Sequence, residues 1–393
     1  MKKNYFLILL FAFLLNPIYS QVQLSVYSEI SIVTAGPGEE LYESFGHSAI
    51  RIKDPVLNLD LIYNYGMFDF NQPNFYTNFA KGNMIYSLAR YDFKYFLASY
   101  KRDKRWLKQQ VLNLTQQERQ AYFIFLERNA LPQNKNYQYD PYFDNCATKL
   151  RDITKDILGD KVVFNDETLE KKLTFRQLTN HEINWNSWGT FGLNIIAGTK
   201  LDQIATSNEY MYLPDYIYSA FKNATVYIKN QPTKLVKRED VLLNFKEKEP
   251  KVSAFSPLLI FSVLALLVIF ITYKDYKKNK RTKWLDFTLF FITGLIGAIL
   301  VFLWFFSSHS TAPNNFNLLW AFAPNLLVVF FLRKKYSQDW VKRYVLLLLF
   351  FLLLIPILWM TKIQVFPIVL IPFLLLLFIR YLFLYKKLLT FKK

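Results

Sequence analysis

Two regimes of hydrophobic patterning divide the chain. From residue 21 to about 252, apolar and polar positions interleave at the periods of strands and helices; from 253 onward, apolar residues run together in long blocks. In the first regime, the alternating, β-branched stretch 24–34 predicts a strand, ended by the turn Ala35-Gly36-Pro37-Gly38. A short helix is expected over 39–44, broken at Gly46. His47 to Ile52 alternates again, a turn begins at Lys53-Asp54-Pro55, and 59–65 returns, so the pair reads as a hairpin. Thr115-Gln116-Gln117-Glu118 is a capping box that opens a helix carrying Tyr122, Phe123 and Leu126 and ending by Ala130. Residues 139–143 form an extended approach to a helix that starts near Asn145, with Asp144 as its N-cap. Strands and helices mix without an internal repeat, which predicts an α+β domain.

The second regime predicts membrane spans. Five apolar blocks, 254–273, 285–306, 318–332, 344–360 and 365–385, each approach the ~20 residues needed to cross ~30 Å of hydrocarbon. At the other end of the chain, Lys2 and Lys3 precede an apolar run from Tyr5 to Leu15. Pro17 then breaks the run before Ser20, so 1–20 reads as a signal peptide cleaved near Ser20, with an uncleaved N-terminal anchor as the alternative. The organisation is therefore 1–20 signal peptide, 21–252 exported domain and 253–393 membrane domain.

Charge fixes the orientation. The chain carries 48 Lys+Arg against 30 Asp+Glu, a balance that would suit a nucleic-acid binder if it lay on one face. Instead, the basic residues crowd the first link (Lys274, Lys277, Lys278, Lys280, Arg281, Lys283), the third (Arg333, Lys334, Lys335, Lys342, Arg343) and the tail after the fifth block (Lys386, Lys387, Lys392, Lys393). The second link, 307–317, has no Lys or Arg, and the fourth has only Lys362. The positive-inside rule places the basic links in the cytoplasm and 21–252 in the periplasm, outside the inner membrane. The charge is a topology signal, and no nucleic-acid partner is expected.

Chemistry narrows quickly. A single cysteine excludes an intramolecular disulfide and any multi-thiolate zinc site, and with three histidines neither metal nor cofactor is expected. Cys146 falls in the first turn of its predicted helix, where free N–H groups and the helix dipole favour a thiolate. Among the histidines, His47 is best placed as its base, on a strand just after Gly46. Pairing Ile52 with Leu59 across the hairpin sets position 47 opposite Asn64, a candidate to hold the imidazole tautomer; a slip of one residue would substitute Tyr63 or Tyr65. Glu39, Glu43 and Asp69 read as turn or surface carboxylates. His309, with Asn314, Asn315 and Asn317, is either an ordinary polar loop or a loop that shapes a lipid headgroup site. His181 reads as a surface or structural residue.

These segments carry a resemblance. "ESFGHSAIRI" at 43–52, "YNYGMFDF" at 63–70, "FYTNFAKGNMIYSL" at 75–88 and "DNCATKLRD" at 144–152 resemble the exported domain of the Lnb-type lipoprotein N-acyltransferases, itself similar to circularly permuted NlpC/P60, papain-like folds. "LTFRQL" at 173–178, "WGTFGLNIIAGTKLD" at 188–202, "YLPDY" at 212–216 and "HSTAPNNFNLLW" at 309–320 extend it over nearly the whole chain. The resemblance implies a papain-like α+β domain followed by a bundle of about five membrane helices. It implies a Cys146 nucleophile that takes a fatty acyl group from a phospholipid donor as a thioester and passes it to the α-amine of a lipoprotein acceptor. Two other readings stay open on the residues alone: a membrane-tethered NlpC/P60-like cysteine peptidase or amidase, with a polar groove, and a non-enzymatic anchor whose cysteine is sealed in the core.

Overall fold

The computed structural model describes residues 22–165, 172–247, 253–332 and 339–390. The expected signal peptide, 1–20, lies outside the described residues, as do Arg333, Lys334, Lys335, Lys392 and Lys393. The N-terminal half is built on a seven-stranded antiparallel sheet. Its strands are β1 (Glu29–Ala35), β2 (His47–Asp54), β3 (Leu59–Met67), β4 (Ile85–Asp92), β5 (Leu107–Leu112), β6 (Asn136–Gln138) and β10 (Val236–Leu243), in the order β10-β5-β1-β2-β3-β4-β6. A smaller sheet joins β7 (Val162–Val163), β8 (Thr225–Ile228) and β9 (Gln231–Lys234). The helices between them are α1 (Phe75–Lys81), α2 (Phe93–Arg102), α3 (Gln116–Asn129), α4 (Cys146–Leu158), α5 (Phe175–Glu182), α6 (Trp188–Ile196), α7 (Ser207–Tyr210) and α8 (Pro214–Asn223).

Alternation along the strands sorts the two faces of the sheet. Ile30, Ile32, Ile50, Ile52, Leu61 and Tyr63 pack against Tyr122 and Leu126 of α3, Leu150 and Ile153 of α4 and Ile217 of α8. Val33, Ala35, Ala49 and Ile62 point to the opposite face and bury Phe93, Phe96 and Tyr100 of α2. The capping box forms as its sequence requires: the Thr115 side chain accepts from the Glu118 N–H, and the Glu118 carboxylate accepts from the Thr115 N–H at 2.8 Å. The predicted 24–34 strand begins later, at Glu29, because Leu24 to Ser28 are held as a loop by Gln120, Gln116 and Asp54. The helix expected over 39–44 contracts to a single 3₁₀ turn, Leu41–Glu43.

The C-terminal region is helical. Among the described residues, four helices are long and apolar enough to cross a membrane: α9 (Pro257–Lys277), α10 (Lys283–Phe305), α12 (Asp339–Met360) and α13 (Ile371–Thr390). The third predicted span departs from this pattern. It is a 3₁₀ turn at Phe316–Leu319, an irregular stretch around Pro324, and the short helix α11 (Asn325–Leu332). Pro324 lacks an N–H and disfavours helical backbone at Ala323, which favours a break there and suits Pro324 to the position just before α11. This broken segment runs antiparallel to α10. Cβ atoms added at Gly297 and Gly294 would meet the backbone at Ala321 and Leu326 within 2.0 and 2.5 Å, so only glycines admit the contact. At the start of α11 the buried Asn325 side chain is bonded to Thr293 and Tyr344, so its polar atoms are satisfied as hydrocarbon demands.

The two regions are clasped at one end of the helices. Gly198 N–H donates to Thr311 O at 2.8 Å and Thr199 N–H to Asn314 O at 3.2 Å, while the Asn315 amide donates to Ile195 O at 2.7 Å. Val365 N–H donates to Asp202, whose carboxylate is paired with the buried Arg176 at 2.8 Å. The segments 188–202 and 309–320, far apart in sequence, therefore meet face to face. The second and fourth links lie against the N-terminal half, and the basic first link lies at the far end, where buried Arg380 pairs with Asp275 and Asp286. For the first, second and fourth links, the charge pattern read from the sequence and the side on which the link lies agree.

Candidate active site

The site forms where β2 begins, β3 bulges and α4 starts. Gly46 sits at φ +73°, and a Cβ there would lie 2.8 Å from Ala35 O, so the chain turns tightly into the strand and delivers His47 as its first residue. The hairpin pairs Ile52 with Leu61, so the expected register is displaced by two residues. A two-residue shift preserves the face of every side chain. Asn64 consequently remains on the face of His47, as its diagonal neighbour, and the imidazole Nε2–H donates to Asn64 Oδ1 at 2.6 Å. The Asn64 amide nitrogen donates to Tyr91 OH and Met67 Sδ, each at 3.2 Å, which turns the carbonyl oxygen toward His47.

Cys146 approaches from the other face of the sheet. The N-cap of α4 is Asn145, correcting the assignment to Asp144: the Asn145 side chain accepts from Ala147 N–H at 2.9 Å and Thr148 N–H at 3.0 Å, and Thr148 Oγ1 accepts from Asn145 N–H at 2.8 Å. Asp144 is drawn away by a 2.7 Å ion pair with Lys149. Cys146 is thus the first helical residue, where the helix dipole acts most strongly on a thiolate. β3 makes room by bulging between Asn64 and Met67, with Gly66 at φ +87°; a Cβ there would sit 3.7 Å from Cys146 Cβ.

Cys146 and His47 are close enough to act on each other electrostatically. Because Nε2 is taken by Asn64, Nδ1 is the nitrogen left to the sulfur. Burial pushes the Cys146 thiol up, but the neighbouring His47 and backbone N–H groups of Ser48 and Ala147 outweigh that and hold it below the ordinary thiol range. Burial pulls the imidazole down, yet the neighbouring Cys146 and the Asn64 hydrogen bond raise it above its usual value. Each group shifts the other in the direction that favours proton transfer from thiol to imidazole.

Three tyrosines missed in the sequence complete the surroundings. Tyr137 and Tyr139 flank Gly66 beside Cys146, and Tyr139 stacks on Tyr86 at 4.2 Å between centroids. Burial first, then the Cys146 charge, raises both Tyr137 and Tyr139 so that they stay protonated. The repeated Tyr in "NYQYDPYFDNC" is the only sequence sign of this wall. The remaining candidates lie elsewhere. Glu43 pairs with Arg105 at 3.1 Å, Asp69 caps a turn by accepting from Asn71 N–H, and Glu39 is in an exposed turn. His181 is exposed, 3.7 Å from Glu182. His309 Nε2–H donates to Phe79 O at 2.9 Å, so its loop is docked on the N-terminal half. No group of metal-ligating side chains occurs among the described residues.

No curated protein and no solved structure matches the chain. Two family matches do. The Lnb N-terminal periplasmic domain matches residues 19–181, which contain Cys146, His47 and Asn64, and the Lnb transmembrane domain matches residues 247–392. The α+β half and the helical half correspond to these two domains in order, and the chain belongs to the Lnb family, as a membrane protein with a periplasmic N-terminal domain.

Proposed function

We propose that the chain is a lipoprotein N-acyltransferase of the inner membrane, with Cys146 as nucleophile, His47 as proton relay and Asn64 as the residue that positions His47. The observation that carries this is the placement of Cys146 as the first residue of α4, within electrostatic reach of His47, with Asn64 bonded to His47 at 2.6 Å, in a domain clasped to membrane helices. The arrangement of a helix-borne cysteine, a strand-borne histidine and an orienting amide is the papain-like one that the resemblance implies.

In this mechanism the Cys146 thiolate attacks the carbonyl carbon of a phospholipid acyl ester. The Cys146 N–H at the start of α4 serves the oxyanion that develops, since the Ala147 and Thr148 N–H groups are taken by Asn145. The tetrahedral intermediate collapses to a thioester, and the departing lysolipid alkoxide takes the proton from the His47 imidazolium. The α-amine of the lipoprotein diacylglyceryl-cysteine then attacks the thioester and gives a proton to neutral His47. An amide forms, and the thiolate–imidazolium pair is regenerated. The clasp holds the site over the membrane in which both substrates reside, so the reactants meet by confinement to one surface.

The aromatic wall of Tyr86 and Tyr139 favours an acyl chain over the polar groove that a peptidase reading expects, and the Cys146–His47 contact weighs against an idle core cysteine. The test is mass spectrometry of a lipoprotein's N-terminal peptide from cells with the wild-type chain, with none, and with Cys146→Ser. The reading expects the added N-acyl mass only with wild type; N-acylation that persists in the other two strains would refute it.

A further inference from the structure

A run of aromatic rings leads from Cys146 to the membrane. Tyr139, whose ring lies beside Gly66 and Cys146, stacks on Tyr86 at 4.2 Å, and Tyr86 stacks on Phe68 at 5.0 Å. Phe68 meets Phe70 at 4.9 Å and Phe75 at 6.1 Å; Phe75 stacks on Phe79 at 6.3 Å, and Phe79 meets His309 at 6.1 Å. The far half of this run is uncovered. Phe70 is 52% exposed, Phe79 49% and Tyr76 74%, and α1 buries none of its residues. A contiguous exposed patch of large aromatics on a periplasmic domain calls for an apolar neighbour.

The neighbour is indicated by how α1 is tied down. Ser308 N–H donates to Lys81 O at 2.7 Å, and His309 Nε2 lies 2.9 Å from Phe79 O. Gly82, at φ +76°, is so close to the second link that a Cβ would fall 2.7 Å from His309 N. α10 ends at Phe305, so only a few residues separate the outer end of a membrane helix from α1. That distance sets α1 at the bilayer surface, where aromatic side chains and a terminal Lys81 are well accommodated.

We infer that α1 and Phe70 sit in the outer leaflet of the inner membrane and that the aromatic run Phe79–Phe75–Phe68–Tyr86–Tyr139 carries an acyl chain of a bilayer phospholipid to Cys146. The inference rests on the acyl-transfer reading for its occupant, but the position of α1 does not. Apolarity along the whole run selects a hydrocarbon chain, and continuity with the clasp to α10 selects the bilayer as its source.

Two measurements test it in vesicles of phosphatidylethanolamine and phosphatidylglycerol. First, a nitroxide is placed by Tyr76→Cys in a Cys146→Ser chain, which leaves one thiol, and compared with Tyr95→Cys on α2, an exposed site away from the clasp. The label at 76 should be more accessible to oxygen than to a water-soluble nickel complex, and the label at 95 the reverse. Equal nickel access at both positions, or protection at 76 only after an apolar peptide is added, would overturn the inference. Second, Phe79→Asp and Phe70→Asp in the otherwise wild-type chain should slow acylation of Cys146 from vesicle phospholipid about tenfold or more, because a carboxylate is poorly tolerated in the bilayer interface. Acylation from a short, water-soluble butyryl ester should stay within about twofold of wild type, since that donor does not need the bilayer route. Equal losses with both donors would overturn the acyl path. No acylation of the wild-type chain by either donor would count against the acyl-transfer reading itself, while the label at 76 would still decide the place of α1.

Discussion

Replacing Asn64 with alanine removes the acceptor of the 2.6 Å hydrogen bond from His47 Nε2–H and leaves the nucleophile and the base in place. A hydrogen bond to a charged group contributes about 1.5–3 kcal/mol, and here it acts on the imidazolium form of His47. Thiolate and imidazolium arise together, so destabilising the imidazolium lowers the population of the pair by about ten- to a hundredfold near neutral pH. The sign follows from the two shifts. Cys146 is held below the ordinary thiol range chiefly by His47, and His47 is held above its usual value by Cys146 and Asn64, so losing Asn64 moves the thiol up and the imidazole down. The assay is the rate of iodoacetamide alkylation from about pH 5 to about pH 10, bracketing the free thiol near ~8.5; with one cysteine in the chain, every adduct reports on Cys146. Asn64→Ala should react more slowly than wild type at neutral pH and converge with it at the alkaline end. Asn64→Asp, which keeps an acceptor and adds a negative charge, should not lose reactivity at neutral pH. Superimposable wild-type and Asn64→Ala profiles would mean that Asn64 does not support the charge on His47.

Two further perturbations address the frame that holds the site. Arg380→Ala would leave Asp275 and Asp286 buried without their shared guanidinium and should destabilise the helical region by about 3 kcal/mol, read as a lowered Tm in detergent micelles; an unchanged Tm would contradict the assigned role of this ion-pair cluster. Gly198→Ala would place a Cβ 1.9 Å from Pro313 O and should open the clasp at a cost of about 1–3 kcal/mol, detected as faster amide exchange at Gly198 to Asp202 and 309–317, with exchange in β1 and β2 unaltered.

The sequence was most legible where a local rule acts on few residues. The Thr115–Glu118 capping box, the Gly46 turn into His47 and the helix at Cys146 each depend on hydrogen bonds or dihedral angles within one turn of chain. The charge asymmetry of the links was legible because membrane orientation depends on composition more than on packing. Other features depended on distant partners. Asn64 was selected through a register two residues out, and it survived because strand faces repeat with that period; a one-residue error would have named a tyrosine. Asp144 and Asn145 are both good caps, and the choice was decided by Lys149 and Thr148, which compete for them. The pairing of Arg380 could not be read from its own apolar block because Asp275 and Asp286 lie on other helices. The third span read as continuous because its apolarity hides the break at Pro324, which is stabilised by Gly294, Gly297 and Asn325 across the bundle. The aromatic wall beside Cys146 combines β4, β6 and the β3 bulge, a grouping that pairing alone defines.

The claim at the centre of this account is that the Cys146 sulfur itself carries the acyl group. Intact-mass analysis of the detergent-solubilised chain after incubation with phospholipid vesicles, without a lipoprotein acceptor, tests it most directly. The account predicts the mass of one fatty acyl group on the wild-type chain, removed by neutral hydroxylamine as a thioester is, and absent from Cys146→Ser and strongly reduced in His47→Ala. An acyl adduct of unchanged yield in Cys146→Ser, or one on the wild-type chain that resists hydroxylamine, would place the chemistry on another residue and contradict the account.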